Sequence, residues 1–282
     1  MTVSAVVGWV QSQVDSMLAY AHPRCMDWPM VSFYHLLAGV VAYLCLLGIA
    51  KKVMVARRKG YDMTRFSIVH NLAMTCLSAY MFVETARQAY INNYTLWNNA
   101  VDPSPAGYGM ARIIYIFYLS KYLEFIDSFI IVARFKLRQL AFIHVYHHAS
   151  IVFICWAACY FWPGGDTYFA VMLNSFVHII LYGYYFATCF IKKPEPNKKV
   201  HWSNPFFWRK YITTLQLAQF MAMLVQSVYM LTVKDARYSR KGAAYLCVYM
   251  ITMQYVFGAF FRKNYRTNPA PGKTSGPKTH EA

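Results

Sequence analysis

The stretch QLAFIHVYHHASIVFICWAACYFW, residues 139–162, combines the two features that decide the fold of this chain. It contains no Asp, Glu, Lys or Arg and is as long as the roughly 20 apolar residues that a helix needs to cross a hydrocarbon core. Three histidines occur within five positions of its first half. The run predicts a membrane-spanning helix, and polar side chains at this depth predict a site inside a helix bundle.

Comparable apolar segments occur along the whole chain, before and after residues 139–162. The predicted spans, in chain order, are 31–50, 66–90, 113–133, 139–162, 167–191, 211–233 and 242–261. The third carries Lys121, Glu124 and Asp127, whose charges require partners or a polar cavity in the bundle. With 58% hydrophobic and only 14% charged residues, too little polar side chain remains to cover a soluble globule. We predict a single membrane-embedded all-α domain of seven transmembrane helices, residues 1–282, with a polar tail at 264–282.

Basic residues predict the orientation, because short cytoplasmic connections retain Lys and Arg. The connections on one side, 51–65, 134–138, 192–210 and the segment 262–282, hold twenty Lys and Arg, against seven on the other side. We therefore expect a lumenal N-terminus and a cytoplasmic C-terminus. The tripeptide Asn93-Tyr94-Thr95, a weak glycosylation pattern, falls on the lumenal side.

The net charge of +17 is mostly explained by this orientation and by anionic lipid, so no nucleic-acid partner is predicted. The basic connections also suit the phosphates of a soluble ligand that enters from the cytoplasm, such as coenzyme A. The seven cysteines contain no Cys-x-x-Cys pair, so neither a disulfide framework nor a zinc site is predicted.

Four polar patterns interrupt the apolar spans. Lys121 and Glu124 have the i, i+3 spacing of an ion pair on one helix face. His144, His147 and His148 have the spacing that places three imidazoles on one turn. His35 and His70 are isolated and receive no role. The remaining two patterns are a stripe of Asn174, His178, Tyr182 and Tyr185 on the fifth span, and Thr213, Gln216 and Gln219 on the sixth.

Depth connects these patterns. A helix rises ~1.5 Å per residue, which places the acids, histidines and amides of four spans roughly 6–20 Å from the cytoplasmic surface. The lumenal half of the bundle is left to apolar and aromatic residues. This distribution predicts a polar reaction chamber above an apolar tunnel. At the lumenal end of the tunnel we expect Cys159, Phe161, Trp162, Tyr168, Phe169 and Tyr229.

These patterns, in this order, resemble those of the very-long-chain fatty acid elongases, the beta-ketoacyl-CoA synthases of the endoplasmic reticulum. Lys121, Glu124 and Asp127 match the Lys-x-x-Glu-x-x-Asp-Thr signature of this family, with Ser128 in the place of the threonine. The other matches are to the histidine box (Gln139, Phe142, His144, His147, His148), to the Asn-to-Tyr pattern (Asn174, His178, Tyr182, Tyr184, Tyr185, with Leu181 in the place of a methionine), and to Thr213, Gln216 and Gln219. The resemblance covers about residues 30–265.

The resemblance implies that an acyl-CoA condenses with malonyl-CoA to give 3-oxoacyl-CoA, carbon dioxide and coenzyme A, with no cofactor and no metal. It implies seven helices, six of them forming a barrel around an acyl tunnel. It also implies the endoplasmic reticulum membrane as the location, and leaves open a homodimer or association with other enzymes of the elongation cycle. The sequence HVYHHAS at 144–150 resembles elongases of polyunsaturated chains.

Histidine suits the chemistry, because neutral imidazole is both a nucleophile and a base near pH 7. We expect His147 to accept the acyl group, His144 and His148 to orient or assist it, and His178 to act on the malonyl unit. Ser128 has no evident base beside it and is not expected to be the nucleophile. The positions expected to bind or orient the substrates are Lys121, Glu124, Asp127, Gln139, Asn174, Tyr182, Tyr185, Gln216 and Gln219.

Two other classes of function are compatible with parts of the sequence. A membrane di-iron desaturase or hydroxylase also uses His-x-x-His-His, but its site needs about eight ligands, and at most six of the nine histidines lie in the spans. A lipid transporter or receptor without enzymatic activity would not explain three imidazoles on one turn.

Overall fold

A computed structural model describes residues 27–191 and 201–266 and five isolated positions before residue 27. Within these residues the chain is helical and contains no strand. Seven long helices follow one another: α1 Phe33–Arg57, α2 Thr64–Ile91, α3 Tyr108–Ala133, α4 Phe142–Phe161, α5 Thr167–Thr188, α6 Arg209–Thr232 and α7 Arg240–Phe261. The predicted all-α architecture is confirmed.

The helix ends explain two differences from the predicted spans. α1 continues past residue 50 to Arg57 and stops where Arg58 adopts a left-handed conformation, with φ 57°. Its last two turns carry basic side chains, which end the apolar run without ending the helix. α4 begins at Phe142 because residues 137–139 form a 3-10 turn and Leu140 leaves helical geometry, with ψ 55°.

Six helices close into a ring. Going round it, α2 packs on α3, α3 on α4, α4 on α7, α7 on α6, α6 on α5, and α5 again on α2. α1 lies outside the ring against α3 and α4. It approaches α3 closely at Gly39, where a Cβ would lie only 2.6 Å from the Tyr122 ring. The expected arrangement of six enclosing helices and one outer helix is confirmed.

The helices have the length and composition of membrane spans. Six of the seven in the described part of the chain are long and apolar enough to cross a bilayer. Large apolar side chains remain exposed on outer faces, as on α1 at Leu37, Val41 and Leu44, where lipid would cover them. α3 is the helix that carries the charges, and its Lys121 and Glu124 are buried inside the bundle. The chain is a multi-pass integral membrane protein.

One end of the ring is closed by loops tied to Asp166, which precedes α5 and is 3% exposed. Its carboxylate accepts hydrogen bonds from the backbone N–H groups of Asn98 and Asn99 and from the Asn99 amide, at 2.7–2.8 Å. Its backbone carbonyl accepts a bond from Gln226 on α6. Asn98 in turn bonds the backbone of Arg237 in the loop between α6 and α7. Three loops are thereby joined at the end of the bundle predicted to face the lumen.

Candidate active site

The Lys121 and Glu124 side chains form the predicted ion pair. Lys121 Nζ donates to Glu124 Oε1 at 2.6 Å, and both side chains are at most 2% exposed. Lys121 also donates to Asn174 Oδ1 at 3.1 Å, and His178 Nδ1 lies 3.3 Å from the same Glu124 oxygen. Charge buried in an apolar bundle is stable only when it is paired. This network therefore fixes α3 against α5.

One turn further along α3, Asp127 contacts α2 and makes a further contact with α5. Its Oδ1 lies 2.8 Å from His70 Nε2 on α2, and its Oδ2 accepts a hydrogen bond of 2.7 Å from the hydroxyl of Tyr182 on α5. His70 and Tyr182 are both buried. The prediction that His70 is isolated and has no role is therefore wrong, because its partner lies on another helix.

Ser128, the next residue, points toward the other side of α3. Its hydroxyl oxygen lies 2.9 Å from His144 Nε2 on α4 and 2.8 Å from the hydroxyl oxygen of Tyr43 on α1. The expectation that no base lies beside Ser128 is wrong, because the spacing of residues within one span cannot show a partner on the following helix. Ser128 is fully buried between these partners.

The three histidines of α4 lie together, as their spacing predicts. The ring centres of His144 and His148 are 4.4 Å apart and those of His147 and His148 are 5.7 Å apart. The hydroxyl of Tyr249, on α7, lies 3.4 Å from His147 Nδ1 and 3.1 Å from the hydroxyl of Ser150. His148 Nδ1 is buried and has no hydrogen-bond partner among the described residues. The imidazoles thus face different neighbours.

A narrow apolar cavity runs from this polar layer along the ring axis. His147, Asn174 and Gln219 line one end, and Trp162, Tyr238 and Tyr245 line the other. Ile151, Ile154, Ala158, Ala170 and Met223 form part of the wall between them. The buried Gln219 Oε1 has no hydrogen-bond partner among the described residues. The cavity is thus polar at one end and apolar along most of its length.

The far end of the cavity differs from the sequence prediction. Of the six residues expected there, only Trp162 lines the cavity. Cys159 is buried in the core that α1, α3 and α4 share, and Phe161 packs edge-on against Trp156. The other three contact the loop between α2 and α3: Tyr168 bonds the Thr95 and Leu96 carbonyls, while Phe169 and Tyr229 contact the Trp97 ring.

The floor is formed instead by residues after α6 and at the start of α7. The Tyr238 hydroxyl pairs with Thr167 at 2.8 Å, and Tyr245 lies beside Trp162 with ring centres 6.4 Å apart. The floor side chains Trp162, Tyr238 and Tyr245 are uncharged at neutral pH, and burial raises the pKa of the Tyr238 phenol further. Helical spacing in the sequence could not predict Tyr238 as part of the floor, because it lies in the loop between α6 and α7.

Three predicted substrate-binding residues lie at the edge of the cluster or outside it. Gln139 is exposed in the 3-10 turn before α4, so it does not share the histidine face. Tyr185 is 41% exposed at the end of its stripe and contacts the Tyr182 ring. Gln216 is half-buried one turn of α6 before Gln219. Asn174, His178 and Tyr182 are brought together with the acids of α3.

Three residues that contact the site were not predicted from the sequence. His70 bonds Asp127, Tyr43 bonds Ser128, and Tyr249 approaches His147. The two adjacent polar residues His70 and Asn71 in an apolar span were a signal for His70. Tyr43 and Tyr249 gave no signal, because tyrosines are common throughout this chain, which contains 24 of them.

The ring and the site together define a class of protein: a helical membrane protein in which a buried cluster of acids, histidines and amides lies next to an apolar cavity. Comparisons with known proteins identify the family. Residues 28–273 match the model of the ELO family, described as the GNS1/SUR4 family. The chain therefore belongs to the ELO family, and its function is fatty acid elongation.

Three relatives support this membership. Fatty acid elongase 6 of Leishmania major is 34% identical over 88% of this chain, which spans 64% of that protein's length. Very long chain fatty acid elongase 2 of Mus musculus is 30% identical over 96% of this chain and 92% of its own. Very long chain fatty acid elongase 5 of Xenopus tropicalis is 29% identical over 91% of this chain and 84% of its own. They support a very-long-chain 3-oxoacyl-CoA synthase activity over the desaturase and transporter or receptor alternatives.

Proposed function

We propose that this protein condenses an acyl-CoA with malonyl-CoA in two half-reactions, and that His147 accepts the acyl group in the first. A nitrogen of His147 attacks the thioester carbon and the carbon–sulfur bond breaks. The proton on the other nitrogen of His147 passes to the sulfur, so coenzyme A leaves as the thiol and an acyl-imidazole remains. The observation that carries this assignment is the position of His147 where the polar layer opens into the apolar cavity. Tyr249 lies next to Nδ1, so Nε2 is the nitrogen offered to the acyl group.

His178 serves the second half-reaction. Loss of carbon dioxide from malonyl-CoA leaves a carbanion, which attacks the acyl carbonyl and forms 3-oxoacyl-CoA. The carbon–nitrogen bond to His147 breaks, and the released imidazole takes up one proton from solvent. Glu124 Oε1 lies 3.3 Å from His178 Nδ1 and favours the tautomer with its proton there. The unprotonated Nε2 then faces the malonyl unit. Lys121 neutralises the Glu124 carboxylate and holds it in place.

Amides supply hydrogen bonds for the oxyanions that form. Asn174 accepts from Lys121 through Oδ1, which leaves its Nδ2 as a donor at the cavity. Gln219 lines the cavity opposite and has an amide that can donate in the same way. Donors fixed before reaction are effective because no reorganisation is needed as charge develops.

The remaining substrate-binding residues contact the ligand nearer the cytoplasm. Asp127 and Tyr182 hold the entrance through their mutual bond, and Gln216 continues the amide face of α6. Gln139 and Tyr185 are exposed, which suits contact with the coenzyme A portion outside the membrane. Basic side chains in the connections 51–65 and 134–138 supply partners for its phosphates.

The acyl chain extends from His147 toward Trp162, a distance of roughly 22 Å along α4 at 1.5 Å per residue. A polyunsaturated acyl chain is the proposed substrate class, on the resemblance of residues 144–150. The proposed location is the endoplasmic reticulum, with the N-terminus lumenal and the C-terminus cytoplasmic. Lys278 and His280, which resemble a retrieval signal, lie outside the described residues. A homodimer and contacts with other elongation enzymes remain proposals.

Purified protein given one acyl-CoA and malonyl-CoA tests the reaction. We expect 3-oxoacyl-CoA two carbons longer than the substrate, one carbon dioxide and one coenzyme A, with polyunsaturated chains extended faster than saturated chains of equal length. Metal analysis of the same preparation should show no stoichiometric iron, and a chelator should leave the rate unchanged. Equal rates on both chain types would contradict the proposed polyunsaturated substrate class but not the proposed condensation reaction.

A further inference from the structure

We propose that Tyr43 and Ser128 form a hydrogen-bond relay that holds His144 in one tautomer, so that α1, outside the ring, takes part in positioning the catalytic histidines. The proposal rests on the proposed function only in its effect on rate. The distances are 2.8 Å from Tyr43 to Ser128 and 2.9 Å from Ser128 to His144 Nε2. Both lie within the normal range for hydrogen bonds.

Burial protects the relay from water, and packing orients the Tyr43 hydroxyl group. Tyr43 is 2% exposed and Ser128 is fully buried, so water does not compete for these hydroxyl groups. The Tyr43 ring stacks on Phe125 with ring centres 4.0 Å apart and an interplanar angle of 10°. This stacking aims the phenol at Ser128. Gly39, one turn before Tyr43, brings α1 close enough to α3 for the contact.

Proton counting gives the relay a direction. Each hydroxyl has one proton to donate, and Ser128 is the partner found for the Tyr43 hydroxyl. If Tyr43 donates to Ser128, the Ser128 proton is free to donate to His144 Nε2. The His144 proton then resides on Nδ1. A fixed tautomer also orients the ring, whose centre lies 4.4 Å from that of His148.

The geometry separates this role from that of a serine nucleophile. Ser128 does not line the cavity that His147 enters, and its hydroxyl is enclosed by Tyr43 and His144. It therefore acts through His144 as a positioning residue. An acyl group on Ser128 is an outcome that would contradict the relay.

The test compares Tyr43→Phe, Ser128→Ala and the double variant. Loss of one hydrogen bond of about 1 kcal/mol corresponds to roughly a fivefold fall in kcat. We expect a fall of three- to tenfold in each single variant with KM unchanged. Because both hydroxyls belong to one relay, the double variant should fall no further than Ser128→Ala alone. Ser128→Thr, which keeps a hydroxyl, should restore most of the rate.

Tyr118→Phe is the matched control, since Tyr118 is also a buried tyrosine whose hydroxyl is bonded, to the Met30 carbonyl and Tyr122. It should lower the thermal unfolding temperature as much as Tyr43→Phe but leave kcat unchanged. A Tyr43→Phe enzyme with the wild-type kcat, additive losses in the double variant, or no rescue by threonine would each overturn the relay. Wild-type protein without condensation activity would overturn the proposed function instead.

Discussion

Asp127 and Ser128 are consecutive residues of α3, yet their side chains join different pairs of helices. Asp127 is bonded to His70 on α2 and to Tyr182 on α5, whereas Ser128 is bonded to Tyr43 on α1 and to His144 on α4. Successive side chains on a helix diverge by about 100°, which lets one dipeptide reach both sides. Five helices therefore meet at this level of the membrane.

The His70 contact leads to a first prediction. Substituting His70 by phenylalanine removes a hydrogen-bond partner from the partly buried Asp127 carboxylate. We expect a loss of about 1–3 kcal/mol in stability and a lower kcat, because Tyr182 is then the remaining side-chain hydrogen-bond partner of Asp127 within the described residues. Thermal unfolding in detergent and turnover measure both. His35→Phe, on the exposed face of α1, is the control and should change neither; equal behaviour of the two variants would contradict the assignment.

The contact between His70 and Asp127 marks the limit of what could be predicted from the sequence. Apolar runs and the i, i+3 and i, i+4 spacings predicted the seven helices, the Lys121–Glu124 pair and the clustering of the three histidines. Contacts between helices were missed, because His70 and Asp127 are 57 residues apart and no local spacing connects them. Gln139 does not lie where the sequence predicts, because two non-helical residues, Leu140 and Ala141, separate it from the helix.

The buried Lys121–Glu124 pair gives a second prediction. In Lys121→Met the buried Glu124 carboxylate keeps the contact with His178 but loses its ion-pair partner, and removal of one partner of a buried pair costs about 3–5 kcal/mol. The double variant Lys121→Met, Glu124→Gln removes both charges and should recover much of the stability without recovering activity. Thermal unfolding and condensation rate give the two readouts. A single variant as stable as the wild type would show that the pair contributes nothing to the fold.

Chain length provides a third prediction. Trp162→Ala and Tyr245→Ala enlarge the cavity floor and should shift the product profile toward longer chains. Each buried methylene contributes about 0.8 kcal/mol, so two carbons correspond to a change in preference of up to roughly tenfold. Product analysis by mass spectrometry measures the shift. Phe161→Ala, next to Trp162 but outside the cavity, is the control, and a larger shift in that variant would place the floor elsewhere.

The closed end of the ring gives a fourth prediction. Asp166→Ala leaves the Asn98 and Asn99 backbone N–H groups without their acceptor and should destabilise the protein by on the order of 3 kcal/mol. Limited proteolysis should then cut within residues 92–107. Asp235→Ala, at an exposed position of the neighbouring loop, should remain resistant. Resistance of both variants would mean that Asp166 does not hold the loops together.

The central claim is that His147 carries the acyl group between the two half-reactions. Intact-protein and peptide mass spectrometry after incubation with acyl-CoA alone tests it most directly. We predict release of coenzyme A and a mass increase of one acyl chain on His147, discharged when malonyl-CoA is added. His147→Ala should form no adduct, whereas His178→Ala should form the adduct and fail to elongate it. An adduct on Cys155 or Ser128, or full condensation activity in His147→Ala, would contradict the account.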